Sequence, residues 1–91
     1  MFTNDPGSVY PLDEMDEREP SVVCGYDDEF PVERRERFED MGLLAGETVR
    51  RLHTAALGDP IAFGVRGSVL CLRREDARHI RVRRVGSKDA R

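Results

Sequence analysis

Between residues 42 and 67 the chain is interrupted by turn-forming residues so often that only short, sharply bent elements fit between them. An amphipathic run ends at Gly42 and Gly46 opens the next segment. Gly58-Asp59-Pro60 joins that segment to another, and Arg66-Gly67 turns the chain once more. Ile61, Phe63 and Val65 alternate with Ala62 and Gly64, a period of two rather than 3.6. The stretch therefore predicts a small β-sheet entered from a helix.

Ninety-one residues with 38% apolar content allow one domain with a modest interior. Such a unit binds or regulates more readily than it catalyses. No uninterrupted apolar run is longer than four residues, Val69 to Leu72, which argues against a transmembrane helix or a secretory leader and for a cytoplasmic location. Cys24 and Cys71 have no CxxC spacing and no histidine at metal-finger distance. In a reducing compartment they read as two buried or half-buried thiols in preference to a disulfide or a shared metal.

Net charge is −3, but residues 1–33 carry ten acids against one base and residues 34–91 carry fourteen bases against eight acids. That is an acidic arm on a mildly basic body. Residues 1–20 hold three prolines and an acidic cluster, so this arm is expected to be largely disordered. A single helical turn at Pro11-Leu12-Asp13-Glu14-Met15, with Leu12 and Met15 touching the body, is the alternative for that piece.

Ser21 to Tyr26 reads as a first strand. Pro31 and the acids before it suit a helix N-terminus, and a helix to about Met41 follows, with Phe38 and Met41 as its inward pair and Gly42 closing it. Val49 and Leu52 are three apart in the next strand, so if both face inward a bulge is needed near Arg50-Arg51. Ile61 to Val65 and Ser68 to Leu72 form a hairpin, with Leu70 and Leu72 inward and Cys71 outward. Arg74 to Arg78 is one helical turn, Ile80 and Val82 make a last strand, and residues 86–91 form a frayed tail. Five short strands with one helix inserted after the first fit an all-β, small, partly open barrel, because closure hides the sheet edges.

This set of motifs resembles the ferrous-iron transport protein A (FeoA) domain family over roughly residues 21–85. The match lies in Arg37-Phe38, Met41-Gly42-Leu43, Gly46, Leu57-Gly58-Asp59-Pro60-Ile61, Gly67, Leu72-Arg73-Arg74, Ala77 and Ile80-Arg81-Val82. Ala45 stands where the family usually has proline, and Phe38 and Met41 replace leucines. The resemblance implies an SH3-like barrel acting as a small cytosolic accessory of the membrane ferrous-iron transporter FeoB, which carries a GTPase domain. Related domains end iron-dependent repressors. No winged-helix segment is present here, so that alternative would need a separate partner chain.

Catalytic signal is close to absent, since no serine has a histidine at a helpful position. Cys24, Cys71, His53 and His79 have no spacing that suggests convergence on a metal, and neither a metal nor a cofactor is expected. Arg73, Arg74, Arg78, Arg81, Arg83 and Arg84 form a basic stripe on the last two strands, but no aromatic residue is interleaved with it for base stacking. A protein-facing stripe is thus preferred over nucleic acid, and it could dock the acidic arm of its own or a second copy, giving self-cover or a homodimer. The candidate partner contacts are Leu43, Leu44, Ala56 and Leu57, in the connections around the second strand, with Arg73, Arg81 and Arg83. The bland reading of those apolar residues is that they cap the barrel ends.

Overall fold

The strongest alternation in the chain sits at the bottom of the core. In Ile61–Val65 the side chains of Ile61, Phe63 and Val65 are all but inaccessible to solvent, and Ala62 is buried as well. The computed structural model describes residues 8–17 and 19–85. These form six strands, β1 (Val9–Pro11), β2 (Ser21–Tyr26), β3 (Thr48–Thr54), β4 (Ile61–Val65), β5 (Ser68–Leu72) and β6 (Ile80–Arg84). Helix α1 spans Val32–Asp40, α2 spans Arg74–Ala77, and a 3-10 turn covers Leu12–Glu14. The sheet order is β1-β6-β2-β3-β4-β5, with each neighbouring pair antiparallel. One apolar cluster gathers Val23, Val49, Phe63, Leu72 and Val82 from five of these strands, so the sheet curls around a single core as an all-β, partly open barrel.

Two expectations are corrected. There are six strands and not five, and the helix follows the second strand, because Val9–Pro11 pairs with β6 through Tyr10↔Val82. Part of the supposed arm is therefore structural. Leu12 and Met15 are 0% and 1% exposed, and the turn that carries them is held by side chains from β3 and α2. The Arg51 guanidinium donates to the Met15 carbonyl at 2.9 Å and to that of Asp13 at 3.4 Å, and Arg74 donates to the Asp13 carbonyl at 3.3 Å. The helical turn with Leu12 and Met15 against the body is thus present, and even Asp13 within it is only 19% exposed at its side chain. The remainder of the predicted arm, residues 1–7, and the tail at 86–91 lie outside the described residues.

Helix α1 ends as its glycine suggests. The Leu43 N–H donates to the Phe38 carbonyl at 3.1 Å and the Gly42 N–H to that of Glu39 at 3.0 Å, the paired bonds of a Schellman close. Gly42 has φ of 113°, and a Cβ there would stand 3.3 Å from Arg66 Cδ and 3.7 Å from Val65 Cγ1. Gly42→Ala is accordingly expected to cost about 1–2 kcal/mol, from backbone strain and from displacement of Arg66, in urea unfolding. Phe38 is buried beneath this turn, but Met41, expected to point inward beside it, is 40% exposed. The helix has ended by then, so the i, i+3 pairing no longer holds.

Strand β3 does carry its irregularity, with the register shifting between Arg51 and His53. Its position reverses one expectation. Val49 and Arg51 face the interior side, whereas Leu52 is 42% exposed and its methyls lie over Gly64 on the outer face. At the other hairpin, Arg66 and Gly67 have φ of 54° and 81°, the two positive values of a tight type I′ turn closed by Val65↔Ser68.

Candidate interaction surface

The predicted contact residues do not form one patch. Leu43 is 0% exposed and joins the core, its carbonyl accepting a 2.8 Å bond from the Tyr26 hydroxyl, so it is not available to a partner. Leu44 is 39% and Leu57 96% exposed, and Ala56 is exposed too. Leu44 precedes β3 and Leu57 follows it, and a seven-residue strand separates its ends by roughly 20 Å. They mark opposite ends of the barrel.

The basic stripe also disperses, because β5 and β6 are not neighbours in the sheet. Arg73 and Arg83 are exposed, Arg81 approaches Asp27 at 4.0 Å, Arg84 pairs with Glu19 at 3.4 Å, and Arg74 is engaged with Gly58, Asp59 and Asp13. Glu19 and Asp13 belong to the acidic segment, so some of the charge complementarity legible in the composition is satisfied within one molecule.

Two clusters were not anticipated. The first is a shallow outer groove of about 420 Å³ lined by Thr48, Arg50, Leu52, Gly64, Arg66 and Val69, among others. Val69 is 61% exposed there. Nothing in the sequence alone marks β5 as a sheet edge, and without that the outward alternation of Val69 and Cys71 looks like ordinary surface. Both cysteines are exposed free thiols: Cys71 faces outward as the alternation of its strand predicts, and Cys24 does so as well, against the buried or half-buried pair that composition suggested.

The second cluster surrounds Phe30. Its ring stacks on Tyr26 at 5.8 Å and on His79 at 5.2 Å, meets Phe38 at 5.6 Å, and lies under the Arg34 guanidinium at 5.6 Å. Arg34 in turn reaches the nearly buried Asp76 at 2.9 Å. The His79 Nδ1–H donates to both Asp27 carboxylate oxygens, at 2.9 and 3.0 Å. Burial alone would raise the Asp27 carboxyl, but the His79 hydrogen bond and charge, the Glu29 N–H and Arg81 outweigh it and hold the group below its ordinary 3.8. Burial, with Glu39 adding to it, pushes the Tyr26 hydroxyl above the usual tyrosine range.

A carboxylate lowered in the folded state contributes stability above its unfolded pKa, and that contribution is lost as pH falls through the folded value. Wild-type stability should therefore drop as the pH falls below the ordinary value of 3.8. Asp27→Asn should be less stable than wild type at neutral pH and converge with it in acid. Urea titrations across that range check this; a gap that persists at the acid end would mean that some other contact is lost.

Among the described residues no three histidine, cysteine, aspartate or glutamate side chains are placed to hold a metal ion, and no serine or cysteine hydrogen-bonds a histidine. Ser21, which is buried, shares a 2.6 Å bond with the Tyr10 hydroxyl. No described helix is long and apolar enough to cross a membrane. What the surface offers is exposed apolar and cationic groups on a small SH3-like barrel.

A family model described as the FeoA domain matches residues 10–84, and the chain belongs to that family. Among solved structures it is similar to the FeoA protein of Chlorobium tepidum, at 29% identity and TM-score 0.77 over 88% of this chain and 74% of that one. A FeoA-like protein of Clostridium acetobutylicum is 30% identical with TM-score 0.74, over 87% and 90% of the two chains. The zinc complex of Stenotrophomonas maltophilia FeoA, described as a procaryotic SH3 domain protein, is 24% identical with TM-score 0.69, over 79% and 87%, and at that identity it speaks to the fold alone. No curated protein is similar enough in sequence to count as a match. The matched range begins at Tyr10, within β1, eleven residues ahead of the start assigned from the motifs.

Proposed function

We propose that this protein is a non-catalytic, cytoplasmic accessory of ferrous-iron uptake that binds the cytosolic part of the membrane transporter FeoB and modulates it. The observation that carries the reading is the family match across nearly the whole barrel. Modulation requires only that the barrel bind one state of the transporter's GTPase or pore assembly better than another. A nucleic-acid role has little support, because the arginines are dispersed and several are already paired with carboxylates.

The exposed leucines are the contacts this reading assigns, and they can be separated. Pull-down of purified FeoB cytosolic domain with Leu44→Glu and Leu57→Glu should show one variant binding about tenfold more weakly, equivalent to about 1.4 kcal/mol, with the other end of the barrel indifferent. Both side chains are substantially exposed, so both variants should fold. Unchanged binding by two well-folded variants would remove the leucines from the interface.

A further inference from the structure

Strand β5 is the last strand of the sheet order and pairs with β4 alone. The two-residue turn makes Val65 and Ser68 a hydrogen-bonded pair, so alternation directs the backbone N–H and C=O of Val69 and Cys71 away from β4. Among the described residues no backbone group pairs with these positions, so they present a free sheet edge. Edges of this kind are usually blunted by prolines, inward-pointing charges or a covering helix; the sequence Ser68-Val69-Leu70-Cys71-Leu72 contains no proline and no charge.

The ground beside the edge has a definite character. Leu52 and Val69 supply exposed apolar surface in the outer groove, and Arg50 and Arg66 line the same groove. Arg73 follows immediately at the far end of β5 and is exposed. Against these cations the described residues place Glu47, which meets Arg66 only at 3.9 Å. No described carboxylate is within ion-pair distance of Arg50.

We infer that the β5 edge is a docking site for an extended acidic segment of a partner protein, which adds a seventh strand to the sheet. The main-chain groups of Val69 and Cys71 would fix the register. Alternation would put its carboxylates on the outer face, toward Arg66 and Arg73 beside Val69 with Arg50 adding to the positive field, and its apolar side chains on the opposite face beside Leu70. A second copy of this chain is a poorer occupant. Antiparallel pairing of two β5 strands about Leu70 brings Arg66 of each copy opposite the Arg73–Arg74 end of the other, setting like charges together. The inference does not depend on which protein supplies the strand, and it stands or falls separately from the leucine contacts above.

The test uses the full chain, isotopically labelled, titrated with a blocked peptide of alternating glutamate and valine and, in parallel, one of alternating lysine and valine. Saturable binding of the acidic peptide is expected, with amide shifts concentrated at Val69 and Cys71, weakening steeply with added salt. Arg50→Glu and Val69→Pro should each weaken it at least tenfold. Because the proline variant could itself disturb the hairpin, Val69→Asp serves beside it, the side chain being 61% exposed and free of any packing role in the core. No saturable binding at millimolar peptide, equal binding of the lysine peptide, or acidic-peptide binding unaffected by both Val69 variants would overturn the proposal. So would self-association of the free chain that protects the β5 amides and excludes the peptide.

Discussion

Deleting residues 1–17 is expected to leave a chain without a cooperative unfolding transition. That segment supplies β1, which covers one side of β6, and the two apolar residues that close the barrel, Leu12 and Met15. Small domains are stable by only about 5–15 kcal/mol. The single substitution Leu12→Ala removes a fully buried side chain and should cost about 3 kcal/mol, lowering the melting temperature by on the order of 15 °C. Losing the whole segment also unpairs an edge of β6, takes the Asp13 and Met15 carbonyls from the inward-facing guanidinium of Arg51 and leaves it only Thr54, and strips the Tyr10 partner from buried Ser21. Calorimetry and near-ultraviolet dichroism of the truncated chain are the direct measurements. A truncated chain with the full-length melting temperature would mean that the segment is an appendage after all.

The second large effect should come from Phe30→Ala. Phe30 is 5% exposed and is the one residue that touches Tyr26, Phe38, His79 and Arg34 together. It ties α1 to β2 and to the start of β6, because those four partners come from three separate parts of the chain. Truncation to alanine should cost about 3–5 kcal/mol, combining lost burial, an unfilled space and the ring contacts. Phe30→Leu keeps much of the volume and should cost about 1.5 kcal/mol. Chemical denaturation of the two variants distinguishes the cases. Equal, small losses would show that the surrounding side chains collapse into the gap and that the stacked arrangement contributes little.

Local signals carried most of the barrel. Gly42 closed α1, Arg66-Gly67 made a type I′ turn, Arg74 to Ala77 formed a single helical turn, and Leu72, Ile80 and Val82 went inward, each because its neighbours in sequence determine its geometry. Failures occurred where a distant residue decides. Leu12 and Met15 are isolated among acids, so their spacing offered a turn against the body only as an alternative to disorder; what it could not show are the bonds from Arg51 to the Met15 carbonyl and from Arg74 to that of Asp13, 36 and 61 positions away. Leu52 satisfies an inward spacing on paper, but it is itself the extra residue of the register shift between Arg51 and His53 and lies on the outer face. The candidate surface was less legible for a related reason. Leu43 and Leu44 are adjacent in sequence, yet the turn after α1 buries one and exposes the other, and only the strand order reveals that β5 is an edge.

On the function proposed above, this FeoA-family barrel acts on ferrous-iron transport by contact. The most direct test is the initial rate of ferrous-iron uptake in cells expressing FeoB, compared without this protein, with the wild-type chain, and with the folded variant that fails in the pull-down. The account predicts that the wild-type chain changes the rate and that the binding-deficient variant, at equal abundance, leaves it at the level seen without the protein. An uptake rate indifferent to the wild-type chain, or altered equally by a variant that no longer binds FeoB, would contradict it.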